Sequence, residues 1–430
     1  MSGTAAVGFD PLAGGFAASP YEQYAQLRDH DPVHRSELLQ GWVVTRFDDV
    51  GKLLRDASVS SDIHNATPNP LTTMELELLT EQPRASRTIV LLDDPDHARI
   101  RALIADPFRP REIEKLRERV TTRIDRAFDR LSEHYGTGRA ELDLVGEFAY
   151  PLPVEIFSEM LGMPEEDSPQ FRYWAQCVAR MVDPIMSAAE RAECTRGLDD
   201  MYAYLEEQVD RKRAHPEDDL MSALAHAEID GERLSQEDLL AQLVTLYMAG
   251  HEPTAALIAA GTLALIREPD QLARLRGDRD LLRNAVSELL RFDGPNHFVR
   301  RITTRPTVVG TTELPGGAVI YASPASANRD PRRWGDDAEA VRVDRADASQ
   351  HLQFGAGAHA CLGSHLARLQ AEIAFTAILD RLEDLELAGT PDWGNRMFIR
   401  GLTALPVACT IRDRVAWTHP TAPRSGPPGR

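Results

Sequence analysis

Apolar residues are densest near the middle of the chain, between Gln236 and Glu268. Ser235 and Asp238 form a weak capping-box start, and Pro269 marks the end, so this stretch predicts one helix. At 1.5 Å per residue, the helix is roughly 50 Å long. Because it is apolar on nearly every face, we expect it to pass through the core rather than lie on the surface.

The middle of this helix interrupts the apolar pattern with polar residues and a proline at positions 249–254. Pro253 has no N–H to donate to the carbonyl of Ala249, and its ring crowds that carbonyl. We therefore predict that the helix kinks or opens over residues 249–253. Polar groups in a buried helix are costly, so the segment requires a functional explanation.

The rest of the pattern predicts further helices, with prolines that punctuate them rather than separate domains. Three short runs predict strands, at residues 42–45, 318–321 and 407–411. We expect one mainly α domain with a small β portion over residues 1–412. Residues 413–430 are rich in proline and glycine and predict a disordered C-terminal tail.

Composition narrows the possible partners and the compartment. The formal net charge of -19 argues against general affinity for nucleic acid or anionic membranes. Four cysteines without a CxxC pair do not make a disulfide scaffold in a chain of 430 residues. The N-terminus lacks the pattern of a signal peptide, and no apolar run approaches the ~20 residues of a membrane span. We expect a soluble, cytoplasmic protein.

The segment 354–363 carries the strongest chemical signal. Its three glycines let the backbone bend tightly and approach a flat ligand. An amphipathic pattern begins directly after Cys361, which places this cysteine at a helix N-terminus, where the dipole and free N–H groups stabilise a thiolate. A thiolate held in this way is suited to bind iron. An isolated cysteine in a glycine-rich turn is otherwise most often a buried structural residue.

The spacing FGxGxHxCxG in this segment resembles the haem-ligand signature of the cytochrome P-450 family. The resemblance spans nearly the whole chain, with the other motifs in the order of the family. It implies a single-domain cytochrome P-450 fold, with a long central helix over a haem b cofactor and Cys361 as the iron ligand. It also assigns Phe354, Gly355, His359 and Gly363 to the cofactor site.

Two further segments are similar to elements of this family. The stretch from Glu288 to Arg291 looks like the ExxR element, which the resemblance implies is paired with Arg345 to support the haem-ligand loop. On its own, a Glu–Arg pair at this spacing is usually a solvated surface pair. The resemblance also implies donors for the haem propionates, namely His97, Arg101 and Arg301.

The central helix departs from the family at one position. Glu252 matches the usual acid, but Pro253 stands where relatives carry a threonine that helps hold oxygen and pass protons, and Thr254 follows one place later. The resemblance thus implies a proton-delivery site of Glu252 and Thr254 beside Ala249 and Gly250. A water on the freed carbonyl or a group of the substrate could replace the missing threonine hydroxyl. Another possibility is a reaction that needs less proton delivery. Alternatively, the proline only fixes a kink.

The resemblance also implies which residues lie over the haem. These substrate-contact candidates are Val90, Thr245, Met248, Ala249, His297, Val299, Phe398 and Ile399. Arg300 and Arg396 are candidate anchors for an anionic or polar substrate. We expect residues 60–87 and 165–215 to control substrate entry.

The resemblance implies a haem-thiolate monooxygenase that inserts one oxygen atom from O2 into a small molecule, a secondary metabolite by family habit. Electrons would come from a separate ferredoxin and ferredoxin reductase, and the basic stretch from Arg99 to Arg126 could steer an acidic partner. Alternating charges within helices explain part of that stretch equally well. Pro253 suggests one alternative, an oxidase that couples substrates or uses peroxide. The alternative of another class is a non-catalytic haem-binding partner protein.

Overall fold

The computed structural model describes residues 8–181 and 186–413. Within these ranges it contains sixteen α-helices and fourteen β-strands. The helices are α1 Tyr21–His30, α2 Phe47–Leu53, α3 Pro70–Glu81, α4 Asp96–Ala105, α5 Pro110–Glu114, α6 Arg117–Tyr135, α7 Pro151–Met160, α8 Ser168–Met181, α9 Ala188–Ala214, α10 Leu220–Ala225, α11 Gln236–Arg267, α12 Pro269–Gly277, α13 Leu282–Asp293, α14 Pro324–Ala327, α15 Pro331–Trp334 and α16 Ser364–Arg381. The strands are β1 Val33–Ser36, β2 Gly41–Val44, β3 Val59–Ser60, β4 Gly138–Asp143, β5 Glu228–Ile229, β6 Glu232–Arg233, β7 Val299–Thr303, β8 Thr307–Val309, β9 Thr312–Leu314, β10 Val319–Ala322, β11 Leu382–Leu387, β12 Asp392–Trp393, β13 Leu402–Ala404 and β14 Pro406–Ile411.

Helix α11 is the predicted central helix, and it ends one residue earlier than expected. The Ser235 hydroxyl accepts the N–H of Asp238 at 3.0 Å and caps its first turn. Its buried residues point in nearly every direction, and it packs against α7, α13 and α16. The helix is continuous through Pro253, so the predicted opening over residues 249–253 does not interrupt it. Packing on several sides holds the chain helical despite the missing N–H.

Two glycines let neighbouring helices approach α11 closely. A Cβ atom at Gly250 would lie 2.5 Å from the ring of Phe157 on α7. A Cβ atom at Gly261 would lie 2.6 Å from the ring of Phe375 on α16. Neither ring could keep its position beside an alanine, since contacts this short are repulsive. The two glycines of α11 are therefore explained by close helix packing, and one of them, Gly250, also lies in the segment around Pro253.

A five-stranded sheet and a three-stranded sheet make up most of the β portion. The larger has the strand order β1-β2-β10-β7-β3, and the smaller has the order β11-β14-β4. The three predicted strands correspond to β2, β10 and β14, each displaced by one residue at one or both ends. In the larger sheet Tyr321 pairs with Arg300 and Ile320 with Arg301, which fixes the strand that carries these arginines. The mainly α prediction with a small β portion is confirmed.

The sequence predicts a disordered C-terminal tail and no membrane-spanning helix. The predicted tail begins at Asp413, and residues 414–430 lie outside the described residues. Among the helices of residues 8–181 and 186–413, none combines the length and the apolar character that a membrane span requires.

Candidate active site

A cavity of about 600 Å³ lies beside the middle of α11. Helices α3 and α9, strand β7 and the loop before α16 also contribute to its wall. Most lining side chains are apolar, and Cys361 faces the cavity on the side of the loop. A concave, mainly apolar cavity with a few polar groups on one side is typical of a small-molecule site.

The loop before α16 presents the Cys361 thiol to this cavity. The N–H of Cys361 donates to the carbonyl of Phe354 at 2.8 Å and closes the loop. Gly355 and Gly357 have φ angles of 67° and 72°, a region that favours glycine, and a Cβ atom at Gly357 would lie 2.6 Å from the carbonyl oxygen of Leu54. The turn therefore explains Gly355 and Gly357, whereas Gly363 has an ordinary φ of -83° and no atom within 4 Å of an added Cβ.

Helix α16 begins at Ser364, so Cys361 lies just before the first turn rather than on it. Burial raises the pKa of the Cys361 thiol. A hydrogen bond from the backbone N–H of Gly363 and the charge of Arg101 act in the opposite direction. The residue is nevertheless exposed on its cavity side. A sulfur surrounded by protein but open to the cavity is available to a ligand inside it.

Cationic and aromatic nitrogen donors surround the same side of the cavity. The His97 ring lies 4.0 Å from the His359 ring, and its Nε2 atom is buried without a hydrogen-bond partner among the described residues. Arg101 donates to the carbonyl of Ala360 at 2.8 Å, and Arg301 donates to the carbonyl of Arg300 at 2.7 Å. No described carboxylate forms an ion pair with Arg301.

The electrostatics of these donors point to an anionic ligand. Burial lowers the pKa of Arg301 to about 10, although Asp93 raises it. Burial and the charge of Arg301 lower the pKa of His359 to about 3, and burial also lowers that of His97. Buried cations and donors without anionic partners are costly. Two carboxylates, such as those of a haem, would supply the missing partners, so the donor set fits this cofactor.

A buried ion cluster lies behind the haem-ligand loop. Arg291 donates to both carboxylate oxygens of Glu288 at 2.7 and 2.8 Å, and both residues are fully buried. Arg345 adds bonds of 3.1 and 3.2 Å to the same carboxylate, as predicted. Arg291 also donates to the carbonyls of Asn328 and Ala338 at 2.8 Å. The cluster thus ties α13 to the segment that leads into the loop.

Helix α11 presents small and polar groups to the cavity near its centre. Ala249, Gly250, Pro253 and Thr254 all line the wall. The Thr254 hydroxyl lies 3.4 Å from the carbonyl of Gly250, which is a long contact for a hydrogen bond. The carbonyl of Ala249 receives no N–H from position 253, because that residue is proline. A free carbonyl and a hydroxyl therefore occur together on this wall.

Glu252 does not line the cavity wall, although the resemblance implies that it belongs to a proton-delivery site beside Ala249 and Gly250. Its carboxylate accepts hydrogen bonds from Arg396 at 2.6 Å and from the Tyr150 hydroxyl at 3.2 Å, and His251 Nε2 lies 3.6 Å away. That last separation is an ion-pair distance rather than a hydrogen bond. Burial alone would raise the pKa of Glu252, but His251 and Arg396 outweigh it and lower the pKa to about 2.

A sequence profile described as Cytochrome P450 matches residues 68–393, which is more than half of the chain. The chain belongs to the cytochrome P450 family. It is 39% identical over 405 residues to the cytochrome P450 monooxygenase PikC of Streptomyces venezuelae, and the match covers 92% of each chain. It is 33% identical over 413 residues to the polyketide biosynthesis cytochrome P450 PksS of Bacillus subtilis, covering 93% of this chain and 98% of PksS.

Solved structures of cytochrome P450 proteins share the fold. The structure of PksS from the bacillaene polyketide synthase of Bacillus subtilis gives a TM-score of 0.85 at 32% identity and covers 94% of this chain and 100% of its own. P450BioI, solved in complex with an acyl carrier protein ligated to hexadec-9Z-enoic acid, gives 0.83 at 29% identity, covering 92% and 99%. The recognition of a bacterial cytochrome P450 monooxygenase is therefore confirmed, and haem b is the cofactor of this family.

In this cytochrome P450, most predicted substrate contacts do line the cavity. They are Val90, Thr245, Met248, Ala249, Val299, Phe398 and Ile399. His297 was expected among them but is not part of the wall. It is 1% exposed, its Nδ1 atom lies 2.9 Å from the Tyr24 hydroxyl, and burial lowers its pKa well below the ordinary value. This histidine packs in the core formed with α1.

The two predicted arginine anchors have different surroundings. Arg300 lines the cavity and forms an ion pair with Glu75 of α3. Arg396 does not line the cavity, because its guanidinium is bound to Glu252. Sequence reasoning missed both carboxylate partners and also Tyr150. No local motif marks these contacts, since each joins elements that are far apart along the chain.

Proposed function

We propose that this cytochrome P450 inserts one oxygen atom from O2 into a small, largely apolar secondary metabolite. The observation that carries the proposal is the cavity of about 600 Å³ between α11 and the Cys361 loop. Cys361 would bind the iron, and His97, Arg101, Arg301 and His359 would hold the propionates. Phe354, Gly355 and Gly363 shape the loop. When bound, the haem supplies oxygen activation and the oxidising chemistry.

The side chains of this protein would contribute positioning and proton supply. Apolar walls would desolvate the substrate and hold it beside the cofactor. The free carbonyl of Ala249 and the hydroxyl of Thr254 would hold a water on the wall of α11, next to Gly250. Glu252 would pass protons toward that water. Since its pKa is about 2, Glu252 is ionised near neutrality, and it must separate from Arg396 and Tyr150 to do so.

The relatives support the substrate class. PksS is a polyketide biosynthesis cytochrome P450, and PikC is a cytochrome P450 monooxygenase. We extend this to a secondary-metabolite substrate for the present chain. Arg300 and Glu75, already paired in the wall, would contact a polar group of such a molecule.

We propose that electrons come from a separate ferredoxin with its reductase. The basic stretch from Arg99 to Arg126 is the candidate docking surface, but several of its charges are paired within the chain. Arg109 lies 2.7 Å from Asp106, and Arg119 lies 2.8 Å from Glu159. Exposed pairs of this kind weaken the local positive potential, so we expect docking that is weak and sensitive to salt.

Oxidative coupling or a peroxide-driven reaction is a second candidate, favoured by one observation. Pro253 lines the cavity at the position where the family resemblance implies a threonine, so that position carries no hydroxyl, and Thr254 supplies one from the next residue. Peroxide brings its own protons and electrons, so a peroxide-driven reaction depends less on proton delivery. Oxidative coupling removes hydrogen from the substrate without adding oxygen, so its product differs in composition from that of a monooxygenase.

A turnover experiment separates these functions. The haem-loaded protein would be given NAD(P)H, a bacterial ferredoxin and its reductase, isotopically heavy O2, and a library of secondary metabolites. We expect a product that has gained one heavy oxygen atom. A product that has lost hydrogen without gaining oxygen would favour coupling. Turnover with peroxide but not with NAD(P)H and the redox proteins would favour the peroxide-driven reaction, and no turnover with any donor would favour a non-catalytic role.

A further inference from the structure

The segment 83–91 forms part of the cavity wall, and its apolar residues Ala85, Ile89 and Leu91 pack against the core only while partly exposed. It consists of two short 3-10 helices, Pro83–Arg87 and Ile89–Leu91, and neither contains a fully buried residue. Its residues 85 and 88–91 line the cavity. A segment with few buried apolar contacts is usually mobile, so other contacts must hold it over the cavity.

Helix α11 supplies those contacts from one polar face. Residues 238, 242 and 245 are spaced by four and three positions, so their side chains point the same way. Arg87 donates to Asp238 at 2.8 Å. Thr245 donates to the carbonyl of Ala241 at 2.7 Å, which leaves Thr88 to donate to Thr245 at 2.6 Å. These contacts join side chains of the segment to the helix.

Gln242 makes a different kind of contact, with the main chain of the segment. Its Oε1 atom accepts the N–H of Ile89 at 2.9 Å, and its Nε2 atom donates to the carbonyl of Arg87 at 2.8 Å. The amide thereby bonds the backbone on both sides of Thr88. Gln242 is 0% exposed, and a glutamine this deeply buried in an apolar helix requires such partners.

We infer that Gln242 is a positioning residue that holds segment 83–91 closed over the cavity, so that Thr88, Ile89 and Val90 face the substrate. The neighbouring Arg87–Asp238 pair is weaker, because the Arg87 side chain is 45% exposed. Loss of the amide would leave an N–H and a carbonyl without partners, which loosens the segment. The inference rests on the proposed function only in assigning these residues to substrate contact.

Hydrogen exchange of the haem-loaded protein tests this role. Gln242→Met keeps the length and the apolar stem of the side chain but removes both bonds. We expect exchange of the Ile89 amide and its neighbours in 83–91 to accelerate by about tenfold or more, the effect of a lost backbone bond. Exchange in α13 and α16 should not change. Arg87→Ala is the matched control, since it removes a contact between the same elements without touching the main chain.

Imidazole, which binds haem iron, provides a second readout without turnover. In Gln242→Met we expect both its association and dissociation rates to rise, because the cavity opens more often. Unchanged protection of Ile89, or equal loosening in Arg87→Ala, would overturn the proposal. Failure of Gln242→Met to take up haem would overturn it as well, since the role would then be global. Neither measurement depends on a redox partner or substrate, so absent turnover would contradict only the proposed function.

Discussion

Replacing Glu288 with alanine should lower the free energy of unfolding of the haem-loaded protein by about 3–5 kcal/mol. The carboxylate is fully buried and bonded to Arg291 and Arg345, which are 0% and 5% exposed. Without it, two guanidinium groups remain buried beside each other without their shared anion. The result would be seen as a lower denaturant midpoint, accompanied by reduced haem content.

The matched control is Glu114→Ala. Glu114 also bonds an arginine three residues later, with a distance of 2.5 Å between Glu114 Oε1 and Arg117 Nε, but its side chain is 61% exposed. Exposed pairs contribute about 0–1 kcal/mol, so we expect little change. Similar destabilisation by the two substitutions would contradict the role given to burial, because the buried and the exposed carboxylate would then contribute equally to stability. So would normal haem content and stability in Glu288→Ala.

Replacing Glu252 with glutamine should reduce product formation by about 10²-fold while NAD(P)H consumption continues. Glutamine keeps the size of the side chain but cannot carry a proton as a carboxylate does. Product formed per NAD(P)H consumed is therefore the measurement. Glu228→Gln is the control, because Glu228 also bonds an arginine, Arg233, but at the protein surface and away from the cavity wall. An unchanged ratio of product to NAD(P)H in Glu252→Gln would contradict the proton role of this carboxylate.

The same carboxylate gives a stability signature in acid. Its pKa falls from the ordinary 4.5 to about 2 in the folded protein, despite the opposing effect of burial. A lowered folded pKa means that the ionised carboxylate stabilises the fold above pH ~4.5, and this contribution is lost as the pH falls toward 2. The parent should therefore lose stability relative to Glu252→Gln across that window. Parallel stability curves for the two proteins would contradict the ion pair with Arg396.

Local pattern was sufficient to predict the parts of this protein that depend on nearby residues. Helix α11 follows from a continuous apolar stretch with a capping serine, and the Cys361 loop follows from glycines that its turn requires. Strands β4 and β7 were missed. Each carries charged residues, and their burial depends on which strands pair with them, a feature that their own sequence does not encode.

Several predicted site residues form hydrogen bonds outside the cavity with partners that are distant in sequence. Tyr150 is 102 residues from Glu252, and Arg396 is 144 residues from it. Tyr24 is 273 residues from His297 and draws that histidine into the core. Resemblance to a family assigns positions along an element, but not the direction in which a side chain finds its partner. This is why residues of the cavity wall could be named from the sequence, while the partners of Glu252, Arg396 and His297 could not.

The central claim is that Cys361 binds the haem iron as a thiolate. The direct measurement is the Soret band of the purified protein, reduced under carbon monoxide, beside Cys361→Ala. We predict the strongly red-shifted band of thiolate-ligated haem in the parent and its loss in the variant. A band typical of histidine or neutral thiol ligation in the parent, or the same band in both proteins, would contradict it.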